Sequence, residues 1–157
     1  VGAWRDSFIG VGNGVETSLG LINDTFETAI TWDQWPAFDA AVRERVGAAL
    51  TETFGEHHSL SCRFTHVYPD GPAPYYTWFG MGTQGSEISQ WQTIKDAANE
   101  AVVSAGGTST HHHAVGRMHR PGAYDVQRPE LFAESIRAVK KRLDPNGILN
   151  PGVLIDP

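Results

Sequence analysis

Three consecutive histidines, His111–His113, stand mid-chain behind Gly106-Gly107-Thr108-Ser109-Thr110. Imidazole changes charge near neutral pH, so such a run suits proton transfer and hydrogen bonding to anionic or carbonyl oxygens. On an extended segment His111 and His113 share one face and His112 takes the other. Zinc is the competing chemistry: His111 and His113 could converge with His66 or His119 on one point. No cysteine pair, no HExxH and no Asp-rich loop accompanies them, so the expected metal content is none. Tyr75 and Tyr76 follow a turn and point to opposite faces of a strand. A tyrosine beside imidazoles can act as general acid or base when its surroundings tune its pKa. Arg5, Arg63, Arg117 and Arg120 are candidate anion anchors, because guanidinium grips phosphate in a bidentate fashion. The plainer alternatives stay open at this point. His112 can satisfy backbone groups, either tyrosine can be a core residue with a bonded hydroxyl, Arg120 reads as solvated surface, and His57-His58 and His119 read as loop.

These side chains need elements to hold them. Asp24–Thr31 alternates and is rich in Thr, Phe and Ile, which predicts a strand. Asp33 can cap a following helix with Pro36 in its first turn, and Phe38, Val42, Val46, Leu50 and Phe54 recur every four residues before Gly55 stops it. Leu60–Tyr68 and Ala73–Met81 read as two strands joined by Pro69-Asp70-Gly71-Pro72, a turn sequence, so the pair is expected to be a hairpin. Strict alternation puts Ser61, Arg63 and Thr65 on one face and Cys62, Phe64, His66 and Tyr68 on the other. Ser86 can cap a second long helix with Ile88, Trp91, Ala98 and Val102 inward, ended by Gly106-Gly107. Thr108–His113 is expected to be a short strand. Pro129 opens a last helix whose inward stripe is Phe132, Ile136, Val139 and Leu143. An irregular tail follows Asp144-Pro145-Asn146-Gly147. The order predicts an α+β, ferredoxin-like antiparallel sheet with helices on one face, plus a C-terminal helix and tail.

Composition narrows the function classes. The chain has 157 residues, 40% of them apolar and 19% charged, and a net charge of −6. It is long enough to bury a real core. The acidic balance argues against nucleic acid or an anionic membrane as main partner. No run of about 18 apolar residues predicts a membrane span. The lone Cys62 excludes an internal disulfide and fits a reducing, cytoplasmic setting. Gly10-Val11-Gly12-Asn13-Gly14 lacks a dinucleotide fingerprint and reads as loop. The chain starts at Val1 without methionine, which reads as a fragment or a processed form.

Four segments carry a family resemblance. Asp24-Thr25-Phe26-Glu27-Thr28 with Thr31-Trp32-Asp33 resembles the TFET…W strand of alkyl-dihydroxyacetonephosphate synthases and their bacterial relatives. Ser61-Cys62-Arg63-Phe64-Thr65 with Tyr68, Gly71 and Tyr75 is similar to that family's hairpin. Gly106-Gly107 followed by His111-His112-His113-Ala114-Val115-Gly116-Arg117 resembles its GG…HHHGVG signature. Leu143–Gly152 is similar to the LDPNGILNPG ending of FAD-linked oxidases.

The resemblance implies a flavoprotein of the vanillyl-alcohol-oxidase type. FAD would be bound mainly by an N-terminal domain that is not legible in this chain, and this chain would be the cap that covers the flavin and supplies the substrate pocket. On that reading residues 1–20 lead from the FAD domain, 21–128 form the cap, and 129–157 are the terminal helix and tail. The family's synthase exchanges the acyl chain of acyl-dihydroxyacetonephosphate for a fatty alcohol, with no net redox change and a flavin adduct at N5. Its catalytic tyrosine would fall on Tyr75 and its histidine triplet on His111, His112 and His113, while Trp4-Arg5-Asp6 resembles the segment carrying its active-site arginine. Arg5, Arg63 and Arg117 are then the expected substrate anchors. The expected partners are a phosphate or lipid-like small molecule, the FAD domain of the same native chain and, in a homodimer, a second copy. An FAD-linked oxidase or dehydrogenase acting on a hydroxy acid or alcohol is one alternative. A stand-alone ferredoxin-like binding module is the other.

Overall fold

The computed structural model describes residues 18–156; Arg5 and the glycine cluster around residues 10–14 lie outside the described residues. Three antiparallel strands form one sheet in the order β1-β3-β2: β1 (Leu21–Glu27), β2 (His58–Val67) and β3 (Pro72–Met81). β2 and β3 are the expected hairpin. The central strand therefore carries Tyr75, with Glu27 of β1 opposite it on one side and Arg63 of β2 opposite it on the other. Residues directly opposite in an antiparallel pair share a face, so three polar side chains stand in a row across the sheet.

The other face is covered by α1 (Trp35–Phe54) and α2 (Glu87–Ser104). Phe38, Val42, Val46, Leu50 and Phe54 of α1 are all buried, as their spacing requires. They pack on Phe26, Tyr76 and Trp78 from the sheet and Ile94, Ala98 and Val102 from α2. At about 1.5–3 kcal/mol for each fully buried large side chain, this layer dominates the fold's stability. Tyr76 belongs to it: its ring stacks on Phe26 at 4.7 Å and its hydroxyl donates to Asp39 at 2.8 Å. Burial and the Asp39 acceptor raise the Tyr76 pKa far above the ordinary value, so Tyr76 stays protonated. Its neighbour Tyr75 faces the uncovered side.

Several local expectations need correction. Gln34, rather than Asp33, occupies the cap position of α1. A backbone turn replaces the side-chain cap, because Thr31 O accepts from the N–H groups of Gln34 (3.1 Å) and Trp35 (3.0 Å). Ile88 is 83% exposed, and α2 turns Lys95 and Asn99 inward instead. Arg120 is buried, between Asp125 and Asp156. Segment 108–113 is not a strand: it runs beside the end of β1 without a ladder. Thr108 takes the place of ladder bonds there, its amide donating to Ala29 O and its Oγ1 accepting the Ala29 N–H.

Short helical turns at Arg117–His119, Arg120–Tyr124 and Asp125–Gln127 lead into α3 (Glu130–Leu143). The expected inward stripe of α3 is mostly exposed: Phe132 is 46%, Val139 55% and Leu143 74% accessible, and only Ala133 is buried. Polar bonds hold its end to the tail. Asp144 accepts from the amides of Ile148 at 3.0 Å and Leu149 at 2.9 Å and pairs with Lys140.

Candidate active site on the open face of the sheet

Glu27 organises this face. Its side chain is fully buried, and one oxygen, Oε1, accepts the amide N–H groups of His111 (2.8 Å), His112 (3.1 Å) and His113 (2.9 Å) together with the Thr110 hydroxyl. Burial alone would raise the carboxyl pKa, but the Thr110 hydroxyl and the three amides outweigh it, so the group lies below the usual carboxylate range. The same bonds explain the missing strand: three successive amides that turn towards one oxygen cannot alternate along a ladder. The loop curls around Glu27 and directs its imidazoles at the sheet.

Gly107 makes that approach possible. A Cβ there would lie 2.6 Å from the Phe38 ring and 2.7 Å from Thr28 Oγ1. Only a residue without a side chain lets the loop close over β1. Gly106 before it takes φ +89°, the left-handed conformation that ends α2.

The rings then meet Tyr75. His112 lies 5.9 Å from its ring at an interplanar angle of 23°, and His113 meets it edge-on at 5.4 Å. The Arg63 guanidinium sits 4.8 Å from the centre of the same ring. The Tyr75 hydroxyl donates to Thr25 Oγ1 at 3.1 Å. Thr25 is braced from below by buried Lys95, whose ammonium donates to its carbonyl at 2.8 Å and pairs with Asp24 at 3.1 Å. A phenol, a guanidinium and a row of imidazoles therefore share one surface. That set can shuttle a proton and hold anionic or carbonyl oxygens.

Two further residues join, and strict alternation misses both. β2 carries a bulge between Phe64 and His66, after which His66 pairs with Ala73. One extra residue switches the faces, so His66 lands on the side of Tyr75, 5.1 Å from His111 and 5.3 Å from His112 between ring centres. Tyr68 stacks on His66, and its hydroxyl lies 3.1 Å from His111 Nε2. Phe64, before the bulge, stays on the helix side against Trp32 and Trp35. A cavity of about 570 Å³ opens beside this edge, lined by Tyr68, His111, Thr108, Gln34 and Asp70 among others. A separate hollow of about 420 Å³ lies at the end of α3, away from the imidazoles.

Not every candidate converges. The Arg117 guanidinium donates twice to Pro151 O, at 2.9 and 2.7 Å, and so holds the tail. His119 accepts the Gly116 amide at its Nδ1, and burial, with Lys95 and His113 nearby, lowers its pKa, so it is a neutral brace for the loop. Cys62 is half-buried, and burial raises its pKa, as suits an inert thiol.

The family model "FAD linked oxidases, C-terminal domain" matches residues 1–154. The chain belongs to this family. An alkyldihydroxyacetonephosphate synthase from Caenorhabditis elegans is 29% identical over 140 residues, 87% of this chain and 23% of the relative. The same enzyme from Trypanosoma brucei brucei is 29% identical over 132 residues, 84% of this chain and 21% of the relative. A solved alkyldihydroxyacetonephosphate synthase superposes with a TM-score of 0.58 at 14% identity, over 93% of this chain and 24% of that one. A second crystal form of such an enzyme gives 0.51 at 12% identity over 95% and 23%. These likenesses confirm the α+β fold. This FAD-oxidase C-terminal domain thus spans about a quarter or less of the length of the relatives it matches. No described helix is long and apolar enough to cross a membrane.

Proposed function

We propose that this domain is the substrate-covering part of an FAD-dependent enzyme of the alkyl-dihydroxyacetonephosphate synthase kind. On this reading the whole enzyme replaces the acyl chain of an acylated dihydroxyacetone phosphate by a fatty alcohol. The observation that carries it is the convergence of Tyr75, Arg63 and the His111–His113 loop on the open face, in a family whose named relatives are such synthases.

The donor set suits a flavin-facing cap. It offers a phenol, imidazoles and a guanidinium on one surface. The flavin, when bound by the rest of the native chain, would supply an electrophilic ring for the carbon that bears the ester, whose fatty-acid carboxylate leaves and whose place the alcohol oxygen takes. This chain's residues do the remaining work. Tyr75, with its hydroxyl oriented by Thr25, moves a proton at the substrate carbon next to the carbonyl. Imidazoles of the triplet hold the carbonyl and hydroxyl oxygens, and Arg63 holds phosphate charge. Glu27 keeps the imidazole loop in register with Tyr75 through the three amides it accepts, and its Oε2 lies 3.1 Å from His112 Nδ1.

Tyr75→Phe in the full-length enzyme tests the assignment. Turnover is expected to fall by at least about 100-fold with the fold intact, in line with loss of general acid–base catalysis; near-normal turnover removes Tyr75 from the mechanism. Anaerobic mixing with substrate separates the chemistries, because net bleaching of the flavin supports an oxidase or dehydrogenase instead. The isolated chain is expected not to bind FAD tightly, and stoichiometric high-affinity binding by calorimetry would contradict the division of labour.

A further inference from the structure

We propose that His66, His111 and His112 form a binding site for one divalent transition-metal ion of the zinc class. Their candidate ligand nitrogens all lie within 4.8 Å of one another. The closest pair, Nδ1 of His111 and Nδ1 of His112, is 3.2 Å apart. Two imidazole nitrogens each about 2.0–2.1 Å from a tetrahedral zinc stand roughly 3.3 Å from each other, so this edge of the tetrahedron is already set.

Hydrogen bonds at His111 and His66 select which nitrogen remains for a metal, while at His112 the ion replaces the contact of Nδ1 with Glu27 Oε2. His111 Nε2 faces the Tyr68 hydroxyl at 3.1 Å, which leaves Nδ1. His66 Nδ1 faces Thr65 Oγ1 at 3.2 Å, which leaves Nε2. Metal-bound histidines characteristically have the second nitrogen engaged in this way, because the bond fixes tautomer and ring plane. Glu27 adds the charge. Its Oε2 lies 3.1 Å from His112 Nδ1 and 3.8 Å from His111 Nδ1, so a cation between these rings meets a carboxylate that is already ionised. His66 and His112 are exposed, which gives an ion access. Imidazole suits zinc, copper, nickel and cobalt rather than magnesium or calcium. An oxygen completes the coordination.

The three ligands have no sequence spacing in common. His66 is 45 residues before His111, and only the bulge in β2 brings it to the right face. Occupancy and direct contact of substrate oxygens with His111 and His112 exclude each other, so zinc is expected to inhibit the full enzyme.

Binding can be measured on the tag-free chain without flavin or substrate, so its outcome is separate from that of the enzymatic reading. Cobalt(II) titration followed by visible absorption is expected to saturate at one equivalent with the strong bands of tetrahedral coordination, and zinc is expected to displace it. His66→Gln, at an exposed strand position, and His112→Ala are each expected to weaken binding at least 10-fold, while His57→Ala leaves it unchanged. Circular dichroism checks that each variant is folded. Absence of stoichiometric binding, or cobalt affinity unaltered in folded His66→Gln, would overturn the proposal.

Discussion

An ionised carboxylate buried in protein is unfavourable unless its lone pairs are filled. Glu27 meets that condition with three backbone amides and a threonine hydroxyl, and each bond to a charged acceptor is stronger than a neutral one. Glu27→Gln keeps the shape and an acceptor at the Oε1 position, but it removes the charge and turns an NH₂ group towards the His111 amide, which also donates. It is expected to lower stability by about 3 kcal/mol in urea unfolding, within the range for disrupting a buried charged network. Thr110→Val removes one donor and should cost about 1 kcal/mol. Arg63 behaves differently. It is exposed and contributes a cation–π contact to Tyr75, so Arg63→Met should change stability by less than about 1 kcal/mol. In the full-length enzyme the same variant is expected to raise KM for a phosphorylated substrate, which steady-state kinetics would read. The contrast separates a residue that holds the loop from one placed to hold a ligand.

At the level of elements, close backbone approaches set the geometry. A Cβ on Gly71 would lie 2.0 Å from the carbonyl oxygen of Ile30, and a backbone oxygen cannot rotate away as a side chain can. Gly71→Ala is therefore expected to destabilise by about 3 kcal/mol, at the upper end for overpacking, and to lift the hairpin tip from residues 30–32. Thermal unfolding, and exchange of the Trp32 amide bonded to Asp70 O, would report it. The end of α3 responds to pH instead. Lys140 and the amides of Leu149 and Ile148 hold the Asp144 carboxyl below its ordinary range. A depressed carboxylate contributes its stability above the unfolded pKa and loses it as pH falls through the lower folded value. Protection of the Ile148 and Leu149 amides is thus expected at neutral pH and should fade only as pH falls below the ordinary Asp value of about 3.9 and through the lower folded value; unchanged protection in strong acid would show that other bonds hold the tail. This contrast also explains what was legible in the chain. The four-residue spacing of Phe38–Phe54 identified a helix because one buried face decides that helix. Pro69–Pro72 identified the hairpin because turn residues act locally. The face of His66 and the path of 108–113 were not legible, since one depends on an unpaired residue in β2 and the other on a carboxylate more than 80 residues away. The histidines themselves stood out by type, and their geometry came from Glu27, which reads in sequence as an ordinary strand residue.

For the molecule as a whole, the exposed stripe of α3 is the main imbalance. α1 buries five large side chains, whereas α3 buries only Ala133 and leaves Phe132, Val139 and Leu143 open. An amphipathic helix of this kind has its apolar face against something in the working protein. The chain spans less than a quarter of the relatives from C. elegans and T. brucei brucei, so cover for that face by the remainder of a longer native chain is a testable expectation. Two consequences can be separated by experiment. If α3 docks outward, then Phe132→Ser with Val139→Ser should leave the stability of this domain within about 0.5 kcal/mol, as for surface positions. The same pair should reduce dye binding and concentration-dependent association of the isolated domain, measured by fluorescence and sedimentation, because the exposed apolar area is what drives both. In the full-length enzyme the double substitution should instead weaken the assembly, seen as a lower thermal midpoint and easier loss of FAD. A large drop in the isolated domain's own stability would place the stripe in its core and remove the argument that α3 faces the rest of the enzyme.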